Sequence, residues 1–228
     1  LDIKILLQRI QKSGVSLRIR FRHFRYPGTQ RYWERRYAAG GRSGAGSLGK
    51  VAQFKAGFLN DFVARQQIHS IVELGCGDGD QLALSHYRAY TGLDIAPTAV
   101  EICRKRFATD TSMRFVLYEP LQFDPDRFRA ALALSLEVIF HLTEEPIYQL
   151  YLQHLFALSN RWVIVFASNT ADISGGIFPH FRTRIWLPDV PEGWVLREEH
   201  PCLFQEIIPS SFFVFEKILP LASAKSND

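Results

Sequence analysis

The sequence predicts an α/β fold, with a mostly parallel sheet covered by helices on both faces. Three observations lead there. Short apolar runs alternate with segments of helical spacing between residues 70 and 167, and such alternation builds parallel sheets. Two of the runs, 130–136 and 162–167, are apolar almost throughout, as strands buried on both faces are. A glycine-rich turn at residues 75–79 follows the first strand, where sheets of this kind bind ligands.

The elements follow in order. Ile3, Leu6, Leu7 and Ile10 have helical spacing, whereas residues 17–24 alternate apolar and basic side chains like a strand or extended arm. Pro27 and Gly28 signal a turn. The run Tyr32-Trp33-Glu34-Arg35-Arg36-Tyr37 leads into residues 40–47, whose glycines and serines predict a flexible loop able to bring backbone N–H groups close to a ligand. Val51, Phe54, Phe58, Leu59, Phe62 and Val63 predict a helix over 48–66, capped by Ser47. Next come a strand at 70–74, a short helix at 81–87, a strand at 90–93 and a helix at 97–107 opened by Pro97. Strands at 114–118 and 130–136, a helix at 144–158 and a strand at 162–167 complete the alternation. Beyond Ser168 the pattern changes. A Gly/Pro-rich stretch at 174–179 precedes a polar-aromatic segment, and runs at 194–197 and 212–215 predict a closing antiparallel hairpin. Residues 221–228 read as a disordered tail.

Composition narrows the class. With 228 residues, 47% hydrophobic and 22% charged, the chain suits one soluble α/β domain with terminal additions. We divide it into a basic extension and covering loop (1–47), a main domain (48–220) and a tail (221–228). No apolar run reaches the roughly 18 residues of a membrane span, and the opening at Leu1 reads as that of a trimmed chain or of an excised part of a longer protein. Cys76, Cys103 and Cys202 are sparse and odd in number, which fits a reducing cytoplasm. They have no metal-ligand spacing, so no metal is expected. The net charge of +4 hides an asymmetry. Residues 1–50 hold twelve Lys/Arg against two Asp/Glu, and the remainder fifteen against twenty-one. A basic leader on an acidic domain suggests an anionic partner or a neighbouring domain.

The chemistry centres on Glu73-Leu74-Gly75-Cys76-Gly77-Asp78-Gly79. Gly75 and Gly77 remove the Cβ atoms that would hold a ligand off the backbone, and a following helix would add free N–H donors. The turn reads G-x-G-x-G with Asp80 next, whereas a dinucleotide site wants a small residue there. Asp78 and Asp80 also set negative charge where a pyrophosphate would lie, which disfavours an NAD(P)-linked oxidoreductase. A cationic ligand with an amino-acid end tolerates them, and Glu73 suits its ammonium group. Asp94, 21 residues after Glu73, has two oxygens able to accept both hydroxyls of a ribose. Ile95 can pack on an adenine face.

This pattern resembles motifs I and II of class I S-adenosylmethionine-dependent methyltransferases. The segment Leu134-Ser135-Leu136-Glu137-Val138-Ile139-Phe140-His141-Leu142 is similar to the fourth-strand segment of many small-molecule members. The early Y-W-x-x-R-Y-x-x-G-G-x-S-G-x-G-S is similar to the lead-in of a bacterial subgroup. The resemblance covers residues 32–167. It implies a Rossmann-like class I methyltransferase fold, a seven-stranded sheet with a C-terminal antiparallel hairpin, and S-adenosyl-L-methionine as cofactor, with S-adenosyl-L-homocysteine as product. It implies that Gly75, Cys76 and Gly77 approach the methionine moiety and Glu73 anchors its amino group. Asp94 would bind the ribose, Tyr118 or Glu119 border the adenine, Ser135 and Leu136 line the methyl end, and Ser43 and Gly44 cover the carboxylate.

Glu137 and His141 are the acid–base candidates, because methyl transfer needs alignment and, for some acceptors, removal of a proton. His180, Arg182 and Arg184, with Tyr32 and Trp33, are candidates for holding the acceptor. The expected activity is O-methylation of a small molecule or glycan. Alternatives are a nucleic-acid methyltransferase using the basic leader as a phosphate-binding arm, and a non-catalytic domain that docks partners. No N-P-P-Y or D-P-P-Y follows the fourth strand, which argues against the usual amino-methylation of DNA bases.

Overall fold

The computed structural model describes residues 26–171 and 180–218. The expected elements at 1–10 and 17–24, the Gly/Pro-rich stretch at 174–179 and the tail at 221–228 lie outside the described residues.

Seven strands form one sheet in the order β3-β2-β1-β4-β5-β7-β6. They are β1 (Ile71–Leu74), β2 (Tyr90–Asp94), β3 (Met113–Leu117), β4 (Ala130–Leu136), β5 (Ser159–Ala167), β6 (Trp194–Pro201) and β7 (Ser211–Lys217). The first five are parallel; β7 pairs antiparallel with both β5 and β6. The sheet is therefore mostly parallel with an antiparallel C-terminal edge, a Rossmann-like methyltransferase fold. The order in which strands are added reverses between β1 and β4, which leaves a crevice at their carboxyl ends.

Strand alternation divides the core into two layers. Ile71, Leu132, Leu134, Ile164 and Phe166 pack with Val51, Leu59 and Phe62 of helix α2 (Gly49–Arg65). Val72, Leu74, Ala133, Val163 and Val165 pack on the other face with Tyr148, Tyr151 and Leu155 of helix α4 (Glu145–Ala157). Helix α3 (Pro97–Arg106) places Val100 and Cys103 in the first layer. Helix α2 ends as Gln67 turns to φ 52° and the Ile68 N–H reaches the Val63 carbonyl at 3.0 Å, a closure of the kind glycine usually makes.

The structure corrects the sequence reading in three places. A helix α1 spans Thr29–Ala38, where the sequence pattern predicts no regular element. Ser47 does not cap α2; it belongs to a 3-10 turn, Ala45–Ser47, and Leu48 takes the cap position. The helix expected at 81–87 is a single 3-10 turn, Leu82–Leu84. Too few residues separate Gly79 from Tyr90 for both a helix and a return to the sheet. The Asn60 side chain also ends the turn, donating to the Leu84 carbonyl (3.0 Å) and accepting from the His86 N–H (2.9 Å). The helix-terminus donors expected behind the glycine turn are therefore missing.

Candidate active site

A cavity of about 340 Å³ opens at the carboxyl ends of β1, β2 and β4. Its floor is the turn after β1. Gly75 adopts φ 91°, and a Cβ there would lie 2.5 Å from Val138 Cγ2, so only glycine lets the two loops meet. Asp94 fixes the turn, accepting from the Gly77 N–H (2.8 Å) and the Ala96 N–H (2.9 Å). One lone pair on each oxygen remains for a ligand. Burial raises the Asp94 carboxyl to about 6 despite those two donors. Glu73 is buried on the α2 face and accepts from the Tyr90 hydroxyl at 2.7 Å. Burial raises it to about 7, against the opposing pull of that hydrogen bond and of Lys55.

The roof is α1 with the loop that follows, tied down at both ends. The Ser43 N–H and hydroxyl each donate to Asp78 at 2.8 Å. Arg42 and Arg106 pair with Asp80 at 2.7 and 2.8 Å, and they hold its carboxyl below the usual carboxylate range against burial. The charge we expected Asp78 and Asp80 to present to a ligand is thus consumed by the roof. In the middle of α1, Glu34 accepts from the Thr98 N–H (3.0 Å) and hydroxyl (2.6 Å), capping the first turn of α3. At the far end Glu144 accepts from the Thr29 N–H at 2.8 Å. The glycine–serine loop is accordingly a fastened strap.

The cavity brings together most of the sequence candidates: Glu73, Gly75, Cys76, Gly77, Asp94, Ile95, Tyr118, Leu136, Ser43, Gly44, Tyr32, Trp33, Glu137, His141 and His180 all line it. Tyr118 presents its ring there while its hydroxyl meets His154 Nδ1 at 2.9 Å. Four candidates lie elsewhere. Ser135 faces α4, since neighbouring strand residues point to opposite faces. Its hydroxyl donates to Tyr151 at 2.7 Å, whose own proton goes to the Leu74 carbonyl. Glu119 is exposed beyond β3. Arg184 stacks over Tyr148 at 3.6 Å and donates to the Leu142 carbonyl at 2.6 Å. Arg182 pairs with Glu145 at 3.0 Å and donates to the Thr143 carbonyl. Both arginines brace the loop after β4 from outside the cavity.

Histidine 141 sits in an aromatic array. Trp33 meets it edge-on at 4.8 Å, Phe181 lies at 4.6 Å, and Tyr32 stacks on His180 at 4.5 Å. Its Nδ1 lies 3.0 Å from the His180 carbonyl, so Nδ1 carries the proton and Nε2 is an acceptor. Burial lowers the imidazole to about 3, and the ring is neutral at ordinary pH.

Glutamate 137 follows β4 at φ 63°, a left-handed conformation that costs about 1–3 kcal/mol and concentrates at functional sites. Its Oε2 meets Nζ of the fully buried Lys55 at 3.1 Å. Gly46 of the strap passes so close that a Cβ there would lie 1.5 Å from that oxygen.

Sequence reasoning missed Arg36, Lys55 and Gln81. Arg36 lines the cavity between Trp33 and Ser43, with Nε fixed on the Arg42 carbonyl at 2.7 Å. An α1 recognised from Thr29, Trp33 and Tyr37 at four-residue spacing would have placed it. Lys55 and Gln81 carry no such signal. Among the described residues no group of three or more His, Cys, Asp or Glu could hold a metal, and no helix is long and apolar enough to cross a membrane.

Residues 71–160 match a family model described as a methyltransferase domain. The comparison with curated proteins gave no match. Among solved structures, the N-methyltransferase NodS from Bradyrhizobium japonicum WM9, in complex with S-adenosyl-L-homocysteine, is 16% identical with a TM-score of 0.67, over 83% of this chain and 98% of that one. The methyltransferase domain of bacterial CtHen1-C is 22% identical at a TM-score of 0.58, over 72% and 97%. Magnesium protoporphyrin IX methyltransferase (ChlM) from Synechocystis PCC 6803 with bound S-adenosyl-L-homocysteine is 16% identical at 0.57, over 83% and 94%. Strand order and the similarity to these structures give the chain the fold of class I S-adenosylmethionine-dependent methyltransferases, and residues 71–160 are similar to a methyltransferase domain.

Proposed function

We propose that this protein methylates a hydroxyl group on a small molecule or glycan, using S-adenosyl-L-methionine. One observation carries the reading: a single cavity runs from the Gly75–Gly77 turn and Asp94 to His141 and the aromatic array. The residues present fit the cofactor. The glycine cradle admits its methionine end, and Asp94 keeps a lone pair on each oxygen for the ribose hydroxyls. Glu73 suits the ammonium, and Arg36 the carboxylate. Ile95 and Tyr118 offer apolar walls for the adenine.

When bound, S-adenosyl-L-methionine supplies an electrophilic methyl group on a sulfonium sulfur. The chain's own residues orient and exclude water. Tyr32, Trp33, Phe140 and Phe181 form a wall on which a sugar or aromatic ring can lie. His141 Nε2 accepts the hydrogen bond of the acceptor hydroxyl and points an oxygen lone pair toward the cofactor. With its imidazole near 3, it orients that hydroxyl, whose proton leaves to solvent as the new C–O bond forms and the C–S bond breaks. The strap from Ser43 to Ser47 closes the cofactor end.

Calorimetric titration with S-adenosyl-L-homocysteine, with NADH as control, tests the cofactor. Micromolar binding of the first alone supports the reading, and no binding of either overturns it. Acceptor screening then follows S-adenosyl-L-homocysteine release across methyl glycosides and phenols. One observation favours a second acceptor class: α1, within the basic N-terminal region of the sequence, exposes Arg31 and Arg35. RNA binding with a steep salt dependence would support a nucleic-acid acceptor instead.

A further inference from the structure

We propose that Glu73, Gln81 and Glu137 together form the receptor for the cofactor's α-ammonium group, which makes Glu137 a cofactor-binding residue and no acid–base catalyst. This rests on the methyltransferase reading above and assigns two residues that reading leaves without a cofactor role.

The argument starts from two orphaned atoms. Gln81 is 6% exposed. Its Nε2 donates to the Ala52 carbonyl at 3.1 Å, while its Oε1 has no partner among the described residues. Glu137 Oε2 holds Lys55, and its Oε1 is likewise buried without a partner. A desolvated acceptor left unpaired costs about 1–3 kcal/mol, and such groups need an explanation wherever they occur. Both side chains line the cavity, as does Glu73.

The three acceptors share one corner. Gln81 grips α2 at Ala52, and Glu137 grips it one turn later at Lys55. Glu73 lies on the α2 face of β1, which pairs with β4 next to Glu137, and the Lys55 charge reaches it. The corner is thus rich in acceptors, and Lys55, its cation among the described residues, is already engaged by Glu137.

Charge and valence then select the ligand. Glu73 and Glu137 bring two negative charges when ionised, and Lys55 one positive. An ammonium group balances the remainder and supplies three N–H donors with no acceptor of its own. A hydroxyl supplies one donor and no charge. The left-handed backbone at Glu137 and the close passage of Gly46 hold its carboxylate at the edge of the strap, toward the methionine end of the cavity.

The test compares two ligands by calorimetry on the full 228-residue chain. S-Adenosyl-L-homocysteine carries the ammonium; 5′-methylthioadenosine keeps the nucleoside and thioether and lacks the amino-acid end. Gln81→Leu and Glu137→Gln should each weaken the first about tenfold or more and leave the second within about twofold. Because 5′-methylthioadenosine reports an intact pocket, a variant that fails to fold identifies itself. The wild-type protein then decides through the desamino analogue of S-adenosyl-L-homocysteine, expected to bind at least about tenfold more weakly than the parent. Unchanged ratios in both variants, equal weakening of the two ligands, or equal affinity for the desamino analogue would overturn the proposal alone. Wild-type protein that binds neither nucleoside overturns the methyltransferase reading with it.

Discussion

Cofactor binding should be coupled to proton release, and the coupling can be worked out from Glu73. Burial raises its carboxyl to about 7, so the folded, empty protein holds a proton there that the unfolded chain, near 4.3, would have lost. For this group alone, stability of the empty protein falls as pH rises from about 4.3 to 7, because the folded state binds more protons across that window. Cofactor binding runs the other way, since an ammonium pairs only with the ionised form. With a midpoint of about 7, the ionised fraction is roughly one-eleventh at pH 6 and ten-elevenths at pH 8. Affinity for S-adenosyl-L-homocysteine should therefore rise about tenfold over that interval. Asp94, near 6, adds about a further factor of two. Calorimetry at pH 7 in two buffers of different ionisation enthalpy should show about half a proton released through Glu73. In Glu73→Gln the tenfold component should vanish and absolute affinity fall. Affinity that stays flat, or rises toward pH 6, would refute the assignment of Glu73 as ammonium partner.

Gly46→Ala places a methyl group against the Glu137 carboxylate, so the strap cannot close. Affinity for S-adenosyl-L-homocysteine should drop at least about tenfold, and stability should fall by about 1–3 kcal/mol; wild-type affinity would mean that the strap is no part of the binding site. Asp94→Ala should weaken the same ligand by about 1–3 kcal/mol, with no loss sinking the ribose role. For His141 the folded value near 3 lies below the unfolded 6.5. The unfolded state therefore binds more protons between those limits, and this group's stability contribution is lost as pH falls from 6.5 to 3. His141→Gln should flatten acid unfolding over that window and leave S-adenosyl-L-homocysteine affinity unchanged; an identical acid transition would count against the buried, neutral imidazole.

The sheet was legible because its strands are buried on both faces and so read as nearly unbroken apolar runs. Ala130–Leu136 matches its expected bounds. The turn was legible because glycine is the residue that a close backbone approach requires, as Val138 against Gly75 illustrates. Helix α1 was not, because hydrogen bonds to distant elements hold it, with Trp33 and Tyr37 packed on Ala96 and Ala99 of a later segment. Its N-terminal partner, Glu144, lies 115 residues away. Arg182 and Arg184 looked like ligand-binding cations, yet residue type does not tell whether a guanidinium faces a cavity or a neighbouring carbonyl. Lys55 and Gln81 sit on elements whose apolar neighbours dominate the pattern, and only tertiary structure turns them toward the cavity.

The fastening of α1 and the strap at two distant points has a consequence for the order in which the molecule matures. The strap precedes its seat in the chain: Ser43 must wait for Asp78, and Thr29 for Glu144. During synthesis the strap's end of α1 can dock once β1 and the turn have emerged, while its beginning stays unfastened until β4 and the start of α4 exist. Contacts of such long sequence separation form late in folding. The cover over the cofactor pocket is therefore fastened at both ends only after residue 144 has emerged, and a nascent chain that stalls before it would present an open cleft to the cell.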